Sequence, residues 1–266
     1  MILAFPYHDP QGACNAALRR HLDRLQSVFE AICVGATPPT ISYNAPFLVE
    51  LCAAGCLVAE NGPETTIGDH SRSALRLALE RAGAEQPIAF LFLDRFLYAM
   101  ETEHREPFLA DLLHYQDQAC LVFERTPAAW QSHPANYQEV EGMTTRLGEL
   151  LYGSTVDWCP CALILRASVA RGIVEQSVNP TYAIWAEWLL LAACQGAVIA
   201  STEVDWLAWE DPYWAHADAE ELRRAQENDP LQVVKRIQMH APIALLMAEP
   251  RFRGITVRRR ILAGPA

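Results

Sequence analysis

An α/β fold with a mostly parallel central sheet flanked by helices is what this sequence predicts, and three observations predict it. Apolar runs of strand length alternate with segments of helical period from the first residues up to Met100. The most apolar of them, IAFLFLDRF at Ile88–Phe96, reads as a central strand buried on both faces. With 266 residues, half of them hydrophobic and a fifth charged, the chain can bury a substantial core.

Taken in order, ILAFPY (Ile2–Tyr7) is a first strand running into the loop HDPQG. Ala13–Phe29 carries Ala17, Leu18, Leu22, Leu25 and Phe29 at helical spacing, and Ala31–Ala36 is a second strand ending in a proline-rich turn. A short helix over Pro46–Ala54 and a third strand over Cys56–Glu60 follow. ENGPETTIGDHS is rich in turn formers, so the next helix is expected to begin at Ser71 and reach Ala82. Four strands with intervening helices point to right-handed parallel crossovers.

Beyond Met100 helices are expected over Pro107–Tyr115, Ala135–Tyr152 and Tyr182–Cys194, with a short one stopped at Gly172. Strands are expected over Ala119–Glu124, Cys161–Arg166 and Ala197–Ser201. EVDWLAWEDPYWAH reads as an aromatic-rich loop, the remainder as helix to about Ala248 with Pro242 bending it, and RFRGITVRRR as a solvated end or edge strand.

A net charge of −11 argues against nucleic-acid and anionic-membrane partners, which reward a basic face. Lys235 is the only lysine, so a phosphate clamp would draw mainly on guanidinium groups and backbone N–H donors. No targeting or transmembrane segment is read from the sequence. The eight cysteines lie mostly in apolar runs, which suits reduced thiols and a cytoplasmic location.

Candidate chemistry gathers where such a sheet would place it, at the carboxyl ends of the strands. Asp94 and Arg95 close the central run; Asp94 either handles a ligand, or pairs with Arg95 or caps the next helix. Pro6 and Tyr7 end the first strand with His8 next in its loop, and Gly35 and Thr37 end the second. Gly68 and Asp69 feed the helix that carries Arg72, which is either an anion site at a helix start or an ordinary cap made by Asp69 or Ser71. Glu187, between Trp185 and Trp188 on an apolar helix, must be paired, protonated or facing a cleft. His216 is either a surface histidine or a ligand. Trp206, Trp209 and Trp214 either stack on a sugar or fold back on the core.

The order and spacing of FPYHDP, AICVGAT, GDHSRSALRLAL, AFLFLD, WCPCALILRASV, IWAEWLLLAACQGAVIA and YWAHADAEELRRA resemble a nucleotide-sugar glycosyltransferase of the GT-A type, closest to the mannosylglycerate synthase kind. The resemblance implies a GT-A-like, Rossmann-related fold. Residues 1–230 would be the nucleotide-sugar-binding domain, and residues 231–266 a C-terminal helical extension and tail of the same domain.

It implies that Pro6, Tyr7, Gly35 and Thr37 bracket the nucleoside, with Gly68 and Asp69 near the base or ribose. Asp94 would stand in the D-x-D motif and Glu187 at the acidic position facing sugar or acceptor. Asp94 and His216 would be the ligands of a divalent cation, Mn²⁺ or Mg²⁺, and in a metal-independent version Arg72 or Arg95 would neutralise the diphosphate. The partners implied are a nucleotide-sugar donor and a hydroxyl acceptor, with a homo-oligomer open.

Two departures mark the chain. The motif reads Asp94, Arg95, Phe96, without its second acid, and Ile67 stands where the family has a lysine. The alternative is therefore a binding or scaffold relative that has lost the metal motif.

Overall fold

The computed structural model describes residues 1–264. Eight strands form one sheet: β1 (Ile2–Tyr7), β2 (Ala31–Ala36), β3 (Leu57–Glu60), β4 (Pro87–Leu91), β5 (Cys120–Arg125), β6 (Ala162–Arg166), β7 (Ile199–Val204) and β8 (Arg259–Ile261). The first half carries α1 (Asn15–Val28), α2 (Pro38–Tyr43), α3 (Ala45–Ala53), α4 (Ile67–Arg81), α5 (Leu93–Glu101) and α6 (Arg105–His114). The second half carries α7 (Pro127–Ser132), α8 (Ala135–Tyr152), α9 (Ala167–Gln176), α10 (Ile184–Cys194), α11 (Asp211–Ala215), α12 (Ala219–Glu227) and α13 (Pro230–Met247).

Strand order is β3-β2-β1-β4-β6-β5-β7-β8. All neighbours pair in parallel except at β6, which runs against both β4 and β5. The fold is thus a mostly parallel sheet flanked by helices. One rim collects the carboxyl ends of the parallel strands and, because β6 is reversed, the segment that leads into β6.

Alternation along the strands builds a core on each face. Ile2, Ala4, Ile88, Phe90, Leu163 and Leu165 face one layer with Leu75, Trp185, Trp188 and Leu189, and Phe90 meets Trp188 edge-on at 4.8 Å. Leu3, Phe5, Ala89, Leu91 and Ile164 face the other with Leu18, Leu25, Phe96 and Phe108. Burial of each large side chain contributes about 1.5–3 kcal/mol. β4 holds the centre, between β1 and β6.

Several boundaries differ from the sequence reading. The apolar run at β4 does not continue to Phe96: the strand ends at Leu91, and Asp94 is the second residue of α5 rather than a strand terminus. Leu93, Phe96, Leu97 and Met100 are buried along that helix, a helical spacing hidden inside an apolar run. The turn-rich GDHS is also helical. Thr66, not Asp69 or Ser71, is the N-cap of α4, and it forms a capping box with Asp69.

The proline-rich turn after β2 is α2, whose prolines stand at the first helical positions, where they cost no hydrogen bond. α9 runs through Gly172, where a side chain would meet that of Gln195 at about 2.6 Å. The aromatic-rich loop contains a 3-10 turn (Asp205–Leu207) and α11. α13 keeps Pro242 inside it and packs on α8, and the basic tail supplies the edge strand β8. No helix among the described residues is long and apolar enough to cross a membrane, and the eight cysteines are free thiols.

Candidate functional site

A pocket of about 930 Å³ opens on the carboxyl rim. The loops after β1, β2 and β3 line one side of it, through Pro6, His8, Thr37, Pro38, Pro63 and Thr65, with Tyr43 of α2 and His70 of α4. The other side is built by Phe92, Asp94 and Arg95 at the start of α5, Cys159 and Cys161 before β6, Tyr137 and Glu141 of α8, and Trp209 and Glu210 after β7. Lys235, Arg236 and Met239 of α13 complete it. Since β3-β2-β1 lie to one side of β4 and β6-β5-β7 to the other, the pocket spans the middle of the sheet, as ligand crevices of open α/β sheets do.

On the first side a polar chain fixes the loops. His8 Nδ1 lies 3.0 Å from Thr37 Oγ1, which lies 3.0 Å from Thr40 Oγ1, and Thr40 Oγ1 accepts the Asp9 amide at 2.8 Å. The Asp9 carboxylate in turn accepts the amides of Ala13 and Cys14 at 2.9 and 2.8 Å. Cys14 borders the pocket as an inert thiol, because burial first and the charges of Asp9 and Asp94 next push its pKa to about 12.

The second side is held by buried ion pairs. Arg95 donates to the Glu210 carboxylate and, at 3.3 Å, to the Ala208 carbonyl, which ties the loop after β7 to α5. Arg125, beneath the wall, donates to Glu141 at 2.9 Å, to Asp157 at 3.5 Å and to the Tyr137 hydroxyl at 3.0 Å. The Arg236 guanidinium lies 4.0 Å from the Tyr137 ring centroid, and His133 stacks on the same ring.

Three guanidiniums thus gather around Tyr137 in a chain whose overall charge is strongly negative. Burial and the charges of Arg125, Arg95 and Arg236 push the His133 pKa far below the usual imidazole range, so the ring is neutral. The indole N–H groups of Trp185 and Trp209, both pocket-lining, have no acceptor among the described residues.

Of the residues singled out in the sequence, Pro6, His8, Thr37, Ile67, Asp94, Arg95 and Trp209 line the pocket. Asp94 is exposed, and the one protein hydrogen bond its carboxylate accepts is from the Arg95 amide, at 2.9 Å. The others lie elsewhere. Tyr7 is buried behind the wall, its hydroxyl donating to Asn15 at 2.6 Å and accepting from Asn44 at 3.0 Å. Gly35 packs on α4, where a Cβ would sit 2.2 Å from the His70 carbonyl oxygen. Gly68 is as tight, with 2.1 Å to the Asn179 carbonyl oxygen.

Asp69 is spent on the cap and on Arg72. Arg72 is buried and donates to Asp69 at 2.7 Å and to the Asn179 carbonyl at 2.8 Å. The anion-site reading of this helix start gives way to the cap.

Glu187 does not reach the pocket lining. Its fully buried carboxylate accepts from Ser177 Oγ at 2.6 Å, the amides of Val178 and Asn179 at 3.2 and 3.1 Å, and Arg251 at 2.7 Å. Every oxygen is occupied, so it cross-links the loop before α10. His216 is exposed at the end of α11 with φ +50°, outside the pocket lining.

The expected metal pair, Asp94 and His216, therefore does not share the pocket, and the described residues hold no group of three His, Cys, Asp or Glu able to bind a metal ion. The side chains present do not fit a protein-built divalent-cation site. The pocket residues that sequence reasoning passed over as site residues are Tyr137, Glu141, Glu210, Lys235 and Arg236. The signal for the last two was the adjacent Lys-Arg pair, which holds the chain's only lysine.

No protein-family profile matches the sequence, and no curated protein matches it. Among solved structures, glucosyl-3-phosphoglycerate synthase from Mycobacterium tuberculosis, in complex with Mn²⁺, UDP and glucosyl-3-phosphoglycerate, is similar at a TM-score of 0.47 and 10% identity. That match covers 90% of this chain and 80% of the other. A likeness of this degree leaves function to be read from the pocket.

Proposed function

We propose that this chain transfers a sugar from a nucleotide-diphosphate donor to a hydroxyl acceptor. The observation that carries the reading is one pocket of about 930 Å³ across the carboxyl rim, with uncharged loop ends on one side and a charged wall on the other. Its size sits at the upper end of ligand pockets, about 300–1,000 Å³, with room for a nucleotide and a second group together. In this reading Pro6, Thr37 and Pro38 flank the nucleoside and the sugar lies toward α5.

Asp94 is the acid chosen for the reacting end, because its carboxylate is exposed and lightly bonded. A carboxylate there can take the proton of an acceptor hydroxyl or hold a sugar hydroxyl. Arg95 acts through Glu210 to hold the wall. Glu187 has no part in this scheme, since its oxygens are all bound within the protein.

The test is a thermal-shift panel of nucleoside diphosphates with and without Mn²⁺, followed by a transfer assay with the nucleotide sugars that bind. Binding of at least one nucleotide raises Tm, and Asp94→Asn abolishes transfer while leaving that binding in place. A panel with no shift overturns the reading. Binding without donor turnover in the wild type would favour the non-catalytic relative.

A further inference from the structure

Among the acids of the pocket, Glu141 is bound by Arg125, Glu210 by Arg95, and Asp211 by Gln226 at 3.1 Å. Only Asp94 is left without a side-chain partner among the described residues. The cations show the opposite asymmetry. Lys235 and Arg236 line the pocket from α13, and among the described residues neither enters an ion pair or a hydrogen bond.

Arg236 rests its flat face on Tyr137, which orients the guanidinium while leaving its edge N–H donors unspent. Lys235, the only lysine of the chain, is exposed beside it. Two adjacent cations without acceptors on the wall of a large cavity call for an anion from outside the chain.

We propose that Lys235 and Arg236 form a phosphate-binding subsite that neutralises the donor's diphosphate from the α13 side, the task a divalent cation would otherwise perform. The inference rests on the nucleotide-sugar reading above for the identity of the anion, and on the side chains alone for its charge. A leaving diphosphate needs its growing negative charge met by fixed positive groups. A bidentate guanidinium beside an ammonium is a recurrent way of doing so. Asp94, Glu141, Glu210 and Asp211 share the cavity, so the phosphates would seat against α13 and away from α5.

The experiment measures binding of inorganic pyrophosphate and of the nucleoside diphosphates by calorimetry, in EDTA and then in Mn²⁺. The proteins are the wild type, K235Q, R236Q and the charge control R253Q, whose side chain is exposed and outside the pocket. Binding should persist in EDTA, fall about tenfold or more in K235Q and in R236Q, and be unchanged in R253Q. Near-wild-type melting curves show that the variants are folded.

Nucleotide binding that requires Mn²⁺, or that ignores both substitutions, overturns the subsite while the nucleotide-sugar reading stands. Pyrophosphate binding lost in K235Q and R236Q, with no nucleoside diphosphate bound by the wild type, keeps the subsite and overturns that reading. Binding of neither probe overturns both.

Discussion

Two polar clusters flank the central strand, and they are built in opposite ways. Between α4, α9 and α10, Arg72, Ser177, Glu187 and Arg251 form a closed knot. Ser177 accepts from Trp188 at 3.1 Å and donates to Glu187 at 2.6 Å, while Arg72 bonds the adjacent Asn179 carbonyl at 2.8 Å. At the pocket, Asp94, Lys235 and Arg236 keep most of their bonding capacity. The difference teaches how to sort charged residues: a buried and saturated group holds the fold, whereas one left partly unbonded at a cavity wall is available to a ligand.

Substitution in the knot should give the largest effect on stability. Glu187→Ala strands the buried Ser177 hydroxyl, two part-buried amides and a guanidinium, and is expected to cost about 3–5 kcal/mol in denaturant unfolding. A loss below about 1 kcal/mol would mean that the cluster is not a closed unit.

Acid gives the next effect, from the wall behind the pocket. His240 bonds Thr144 at 2.9 Å and faces Glu141, Asp157, Arg236 and Arg125. Burial, the dominant cause, lowers its pKa from 6.5 to about 4. The unfolded chain therefore takes up the proton first. The stability His240 contributes is complete above about pH 6.5 and is lost as pH falls toward 4, on the order of 2–3 kcal/mol. Neutral His133 adds to the loss in the same direction. H240Q should flatten part of the Tm–pH curve over that window, and an unchanged curve would refute the assignment.

Removal of the α4 cap is smaller. Thr66→Ala should cost about 1 kcal/mol by chemical denaturation. Smallest in stability is Asp94→Asn, within about 0.5 kcal/mol of wild type. Its consequence should be read in transfer. A large drop in Tm for D94N would erase the contrast between the two clusters.

Much of the sheet was legible because β1, β2, β4, β5 and β6 are each a short apolar run bounded by polar or turn residues. The direction of β6 was not, since ALILR reads alike whichever way it is threaded. The start of α5 was obscured because Leu91, Phe92 and Leu93 continue the apolar run across the turn. For the site, Pro6, His8, Thr37, Asp94 and Arg95 could be found as residues at or just beyond strand ends.

Glu187 was legible only as a choice between pairing and function, because the partner that completes its set, Arg251, lies 64 residues away. Lys235 and Arg236 reach the pocket through the packing of α13 on α8, which no local spacing encodes.

That packing has a consequence of its own. α13 is anchored to α8 by Ile243, Leu246 and Met247 in the core and by the Tyr152 hydroxyl donating to the Met247 carbonyl at 2.6 Å. The same helix hands Lys235 and Arg236 to the cavity about two turns upstream of that anchor. Whatever loosens the seam between these two helices should empty the cavity before it melts the sheet, so occupancy of the pocket and integrity of the chain's last helix should rise and fall together.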